Sequence, residues 1–159
     1  MRLRDIVTRI TDAARSPRST SRRSAPGRRR GRGPARPAAG DRVLIGYTPD
    51  RDGEADPGEV VWTWVPYEDD PSQGKDRPVV VIGTAGPRLA VVTLSSRDHP
   101  GKVAVGSGAW DGAGRPSYAD VDRVLSVAPG DVRREGSTLG RRQFDAVVAG
   151  VRRHHADLG

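Results

Sequence analysis

Cysteine is absent from all 159 residues, so disulfides and thiolate metal sites are both excluded. That absence fits a reducing cytosol. No apolar run approaches the roughly 20 residues that a membrane helix needs. The N-terminus is basic but lacks the apolar stretch of a secretory signal, so the expected location is cytoplasmic. Apolar residues make up only 35% of the chain while charged residues reach 30%, which leaves material for one small core and an appendage.

The charge is unevenly spread. Residues 1–40 hold 12 arginines against two aspartates, a charge of +10. Residues 41–159 hold 15 Lys+Arg against 18 Asp+Glu, a charge of −3. The basicity therefore belongs to the N-terminal arm, and such asymmetry marks a polyanion-binding or solvating segment. Within the arm, Leu3, Ile6, Val7 and Ile10 stand at helical spacing, which predicts a short amphipathic helix over 1–15. From 16 to 40 the chain is mainly Arg, Ser, Pro, Gly and Ala, and disorder is expected. The arm reads either as a solvated linker or as a non-specific nucleic-acid tether, since clustered arginines release counterions from phosphates.

Residues 41–56 read as a transitional segment: a possible short strand, "DRVLIGY", then an acidic turn-rich stretch. The compact domain is expected over 57–159. "EVVWTWVPY" alternates, with Trp62 and Trp64 on one face and Val61, Thr63 and Val65 on the other. "PVVVIG" suits a strand buried on both faces, and "RLAVVTLSS" follows a "TAGP" turn as its hairpin partner. "GKVAVGS" and "YADVDRVLSVA" supply further strands. About five short strands with small turns point to a mainly β barrel or sandwich rather than a βαβ sheet. A helix over 138–156 closes the chain, capped by Ser137 or Thr138. Its stripe of Phe144, Val147, Val148 and Val151 packs on the barrel. His154 and His155 point about 100° apart on a helix, so they are read as solvated rather than as a metal pair.

The stretch "EDDPSQGKDRPVVVIG" drives charge directly into an apolar strand. Pro78 pushes Arg77 towards an extended conformation and so fixes the direction of its side chain. Two readings of Arg77 stand level: a phosphate clamp, because a guanidinium fork matches phosphate oxygens, or an ion pair with Asp69, Asp70 or Asp76. Ser95 and Ser96 sit where "RLAVVTL" leaves the core, and a hydroxyl there could bind a phosphate. His99 could act as acid or base near neutral pH, though a surface loop position is the commoner case.

These residues resemble a family. "PGEVVWTWVPYEDDPSQGKDRPVVVIG" followed by "LAVVTLSS" is similar to the PemK/MazF-type toxins of bacterial toxin–antitoxin systems. The matching features are Gly58, Glu59, Val60 and Trp62, the 67–76 loop, Arg77-Pro78 before Val79 to Ile82, and Ser95. The likeness runs from about residue 57 to the C-terminal helix and leaves out residues 1–40. It implies an SH3-like (CcdB/MazF-like) small barrel with a C-terminal helix, usually a homodimer. It also implies a metal-independent endoribonuclease with no cofactor, which cuts single-stranded RNA to leave a 2′,3′-cyclic phosphate. Inhibition by a small antitoxin protein is implied as well. On this reading Arg77 stabilises charge growing on the phosphate. Ser95 stands where the family usually has a catalytic threonine, with Ser96 or Thr93 as alternatives if the register shifts. Lys75, Gly74, Ser96 and Arg97 then belong to the nucleic-acid surface. Trp110, in a Gly-rich loop, is the favoured base-stacking residue, ahead of Trp62 and Trp64.

Two other classes stay open. One is a non-catalytic barrel that binds RNA or a protein partner, which the net negative charge of 41–159 favours. The other is a gyrase poison, a mechanism that depends on the C-terminal end; here that end is "RRHHADLG" and lends it no support.

Overall fold

A computed structural model describes residues 33–50 and 52–158. The expected helix over 1–15 and most of the basic arm lie outside the described residues. Seven strands form one antiparallel sheet: β1 Val43–Ile45, β2 Glu59–Pro66, β3 Gly74–Ala85, β4 Arg88–Ser95, β5 Val103–Gly106, β6 Ser117–Val127 and β7 Arg133–Thr138. Their order is β5-β6-β4-β3-β2-β7, with β1 added beside β3. The sheet curls into a half-barrel. Among the described residues one α-helix, α1, Arg141–His154, follows the last strand.

Valine-rich alternation explains why the central strands are buried on both faces. Val80, Ile82, Ala90 and Val92 face the side covered by α1. Val61, Val79, Val81, Val91 and Leu125 build a second cluster on the opposite face. β3 and β4 form the expected hairpin, turned by Gly86 and Pro87, with Gly86 at a φ of +58°. A type of turn that needs a positive φ selects glycine there.

The α1 stripe is as the sequence predicts: Phe144, Val147, Val148 and Val151 are all buried. Each such side chain contributes roughly 1.5–3 kcal/mol by leaving water. The start differs from expectation. Gly140 is the N-cap and lends no side-chain bond. Ser137 and Thr138 are instead committed to β7, which pairs with β2, so neither caps the helix.

Two boundaries also need correction. The segment 41–56 is part of the barrel, since β1 pairs with Gly83–Ala85 of β3. Gly83 permits this approach: a Cβ there would run into the Leu44 backbone. Tyr47 donates its hydroxyl to Leu139 O at 2.9 Å and tilts its ring against Phe144 at 5.0 Å. The compact unit therefore starts well before residue 57. Even residues 33–40, expected as disordered, hold a fixed contact: Ser126 N donates to Ala35 O at 2.6 Å, and Ala35 N to Ser126 O at 3.2 Å. No helix among the described residues is long and apolar enough to cross a membrane.

Candidate active site

The hinge of the site is Arg77. The sequence places it at the mouth of a buried strand; β3 begins earlier, at Gly74, so Arg77 lies inside it, opposite Thr63 of β2. On β3 it continues the row Val81, Val79, Arg77; on β4 the matching row is Val91, Thr93, Ser95. Val79, Val81 and Val91 are fully buried, and Val79 pairs with Thr93. Two places further along both strands stand Arg77 and Ser95. Each polar side chain is thus the outer end of a row rooted in the core, which holds it in direction.

The ion-pair reading of Arg77 is not realised. Asp76 pairs with Arg133 at 2.7 Å. Asp70 accepts from the Ser72 hydroxyl and amide and from Gln73, and these bonds hold its carboxyl below the usual range. Among the described residues Arg77 has no ion-pair partner.

Two hollows meet at Arg77 and Ser95. The first, about 440 Å³, is lined also by Lys75, Ser96, Arg97 and Trp62. Asp76 and Asp111 reach it too, but Asp76 is matched by Arg133 and Asp111 by Arg115 at 2.9 Å. This side is therefore cationic. The second hollow, about 270 Å³, is lined also by Thr93, Glu68, Asp69, Lys102, Asp120 and Arg123. Arg123 lies 3.4 Å from Glu68, so that pair offsets itself. Asp69 and Asp120 are set against Lys102 and Arg77, so this side carries both signs in balance.

Asp120, which the sequence did not single out, is a further candidate for the site. Its carboxyl is pushed up to about 6, first by burial, then by the hydrogen bond and charge of Asp122, against the opposing pull of Lys102. A carboxyl with that midpoint is mostly ionised at neutral pH yet a far better proton acceptor than an ordinary aspartate. The available signal was the alternation in "YADVDRV", which sends Ala119 and Val121 inward and the two aspartates to the other face.

Other predicted residues are placed as follows. Ser95 is half-buried, and its Oγ accepts from Arg97 N at 3.1 Å, leaving its own hydrogen to donate. Ser96, Arg97 and Lys75 are exposed and line the cationic hollow. Gly74 lines neither hollow. Its lack of a side chain serves packing, because a Cβ there would meet the Trp64 indole and the Val65 carbonyl. Trp110 is corrected outright. It is 6% exposed, belongs to the main core and donates Nε1 to Ser117 Oγ at 3.0 Å, so no base can stack on it. Of the other two indoles, Trp64 is 40% exposed and Trp62 is half-buried on the wall of the cationic hollow. His99 is exposed and lines neither hollow. His155 Nε2 lies 2.8 Å from Asp122 O, and His154 is exposed at the end of α1.

A curled small barrel with a cationic groove at the end of its central hairpin is the class these features define. The chain belongs to the PemK-like, MazF-like toxins of type II toxin–antitoxin systems, whose family model matches residues 56–155. Among solved structures it is similar to MazF (Form-I) from Deinococcus radiodurans, with 17% identity and a TM-score of 0.51 over 64% of this chain and 96% of that one. Toxin MazF-mt6 of Mycobacterium tuberculosis aligns with 16% identity and a TM-score of 0.46 over 64% and 98%. MazE-MazF (Form-II) from D. radiodurans aligns with 17% identity and a TM-score of 0.48 over 70% and 99%. No curated protein matches by sequence.

Proposed function

We propose that this toxin-family chain is an endoribonuclease that cuts single-stranded RNA by attack of a ribose 2′-OH on the adjacent phosphate. The observation that carries this reading is the set around Arg77: an arginine without an ion-pair partner among the described residues, sharing one hollow with Ser95 and Asp120.

The chemistry follows from those groups. The Asp120 carboxylate takes the proton of the 2′-OH. The 2′-oxygen forms its bond to phosphorus, and the bond to the 5′-oxygen breaks. Arg77 and the Ser95 hydroxyl donate to the non-bridging oxygens as charge grows there, the electrostatic term that usually dominates catalysis. The Lys75 ammonium on the cationic side gives its proton to the leaving 5′-oxygen. The products are a 2′,3′-cyclic phosphate and a 5′-hydroxyl. Every role is filled by a side chain, so the scheme needs no metal or other cofactor. Serine in place of threonine keeps the donor hydroxyl that the scheme uses. As a member of a toxin–antitoxin family the chain is expected to act as a homodimer, to be held in check by an antitoxin protein, and to inhibit growth when released.

The test is product chemistry. A single 2′-deoxy substitution at the cut position should abolish cleavage there, and the upstream product should carry a cyclic phosphate. Cleavage that survives the deoxy substitution would sink the 2′-OH mechanism. The non-catalytic barrel keeps one point in its favour, the charge of −3 over residues 41–159. Binding of RNA without any cleavage would select it.

A further inference from the structure

Two carboxylates stand on the wall of the cationic hollow, Asp76 and Asp111. Each would repel a phosphate there and offer the cations of the wall a competing partner. Asp111 is held within its own loop, by Arg115 at 2.9 Å and by the Ala113 amide at 2.9 Å. Asp76 stands between Lys75 and Arg77 in the chain, yet its partner comes from outside the hollow. Arg133 of β7 donates Nη2 to Asp76 Oδ2 at 2.7 Å and lines neither hollow. The register shows how far this arginine reaches. β2 lies between β3 and β7, with Trp64 beside Asp76 on one flank and Trp62 beside Arg133 on the other. Paired residues share a face, as do residues two apart, so both charges stand on the face that carries the two tryptophans. The strands that bear them are about 10 Å apart, and the bridge passes over β2. It is not needed to join them, because β2 is paired with both. The two side chains are 61% and 48% exposed, and ion pairs so exposed add little stability. What the pair does change is the charge on the wall of the hollow.

We infer that Arg133 is a positioning residue for RNA binding that acts through Asp76: it holds this carboxylate off Lys75 and Arg77 and cancels its charge, so that the hollow presents cations to the RNA backbone. The inference rests on the proposed ribonuclease reading. Arg133 differs in this from Lys75 and Arg97, which stand on the wall of the hollow themselves. Its effect passes through one aspartate and disappears when that aspartate is made neutral.

The experiment is a double-mutant cycle on the full chain. It reads affinity for a single-stranded RNA oligonucleotide made uncleavable by a 2′-deoxy nucleotide at the cut, and KM and kcat on the cleavable parent. Arg133→Gln should bind about fivefold more weakly at low salt, and the difference should shrink as salt rises, as expected for an exposed charge. KM should rise while kcat stays near the wild-type value. Asp76→Asn should bind at least as tightly as wild type. The double variant should match Asp76→Asn, because no carboxylate is left to mask. Arg133→Lys keeps the charge and should stay within about twofold of wild type. Melting temperatures should be nearly equal throughout, which a structural role for the pair would not allow. A loss from Arg133→Gln that persists in the Asp76→Asn background would make Arg133 a direct RNA contact and overturn the inference. Unchanged affinity in Arg133→Gln would overturn it too. Weaker binding by Asp76→Asn would do so alone, whether or not Arg133→Gln folds. Each of these leaves the ribonuclease reading intact, since wild type still cleaves. Absence of both binding and cleavage by folded wild type overturns both.

Discussion

Arg77 and Ser95 stand on neighbouring antiparallel strands, each two places beyond the paired Val79 and Thr93, and both line the two hollows that meet between them. Their placement is a consequence of the core. Val79, Val81 and Val91 are buried without remainder, so the strands cannot shift without exposing them. A cation and a hydroxyl are thereby held on the walls of the same two hollows, the placement that the proposed phosphate chemistry needs.

The pH dependence of cleavage should report Asp120. Activity rises as its carboxyl loses a proton, with a midpoint near about 6. The hydrogen bond and charge of Asp122 both push that midpoint up. Asp122→Asn should therefore move the acid limb of the rate profile to lower pH, and Asp120→Asn should remove activity. An unmoved acid limb in Asp122→Asn would assign the titration to another group.

The same carboxyl should cost stability. Its folded value lies above the ordinary 3.8, so the folded state holds the proton more tightly than the unfolded state. Its contribution is present below pH 3.8 and is lost as pH rises through about 6. Asp120→Asn should then raise the melting temperature more at pH 8 than at pH 5 while activity disappears. Thermal unfolding of both proteins at the two pH values checks this, and an equal shift at both would contradict it.

Trp110 should behave as a core residue. Trp110→Ala removes a buried indole and is expected to destabilise the fold by roughly 3–5 kcal/mol. Trp110→Phe keeps most of the packing and loses the bond to Ser117 Oγ, at a cost of about 1 kcal/mol. Denaturant unfolding measures both, and RNA affinity of the folded Phe variant should stay at the wild-type level.

The arginine-rich arm should act through salt-dependent attraction. Removing residues 1–32 is expected to leave the melting temperature unchanged and to weaken RNA binding mainly at low salt, with a shallower dependence of affinity on salt. Removing residues 1–40 should also lower the melting temperature, because it takes away the Ala35–Ser126 pair. Equal salt slopes for the full and shortened chains would show that the arm takes no part in binding.

Much of this architecture was legible in the sequence. The alternation in "EVVWTWV", the apolar run after Pro78 and the stripe from Phe144 to Val151 follow from strand and helix periods alone. What escaped depends on contacts between distant residues. β1 is only three residues long and is secured by Gly83 and, through neighbouring Tyr47, by Leu139, both far away in the chain. Ser137 and Thr138 carry a helix-cap signal, but pairing with β2 takes them first. Trp110 lies in a Gly-rich segment that reads as a surface loop, and only the packing of the fold shows its indole turned inward. Arg77 was legible through Pro78, whereas Asp120 owes its character to burial and to Asp122, which no local pattern discloses.

The most direct test is cleavage of a long single-stranded RNA by the purified protein in excess chelator, beside Arg77→Ala. The account predicts cleavage by wild type that resists the chelator and disappears in the folded variant. Undiminished cleavage by Arg77→Ala, or no cleavage by folded wild type, would contradict it.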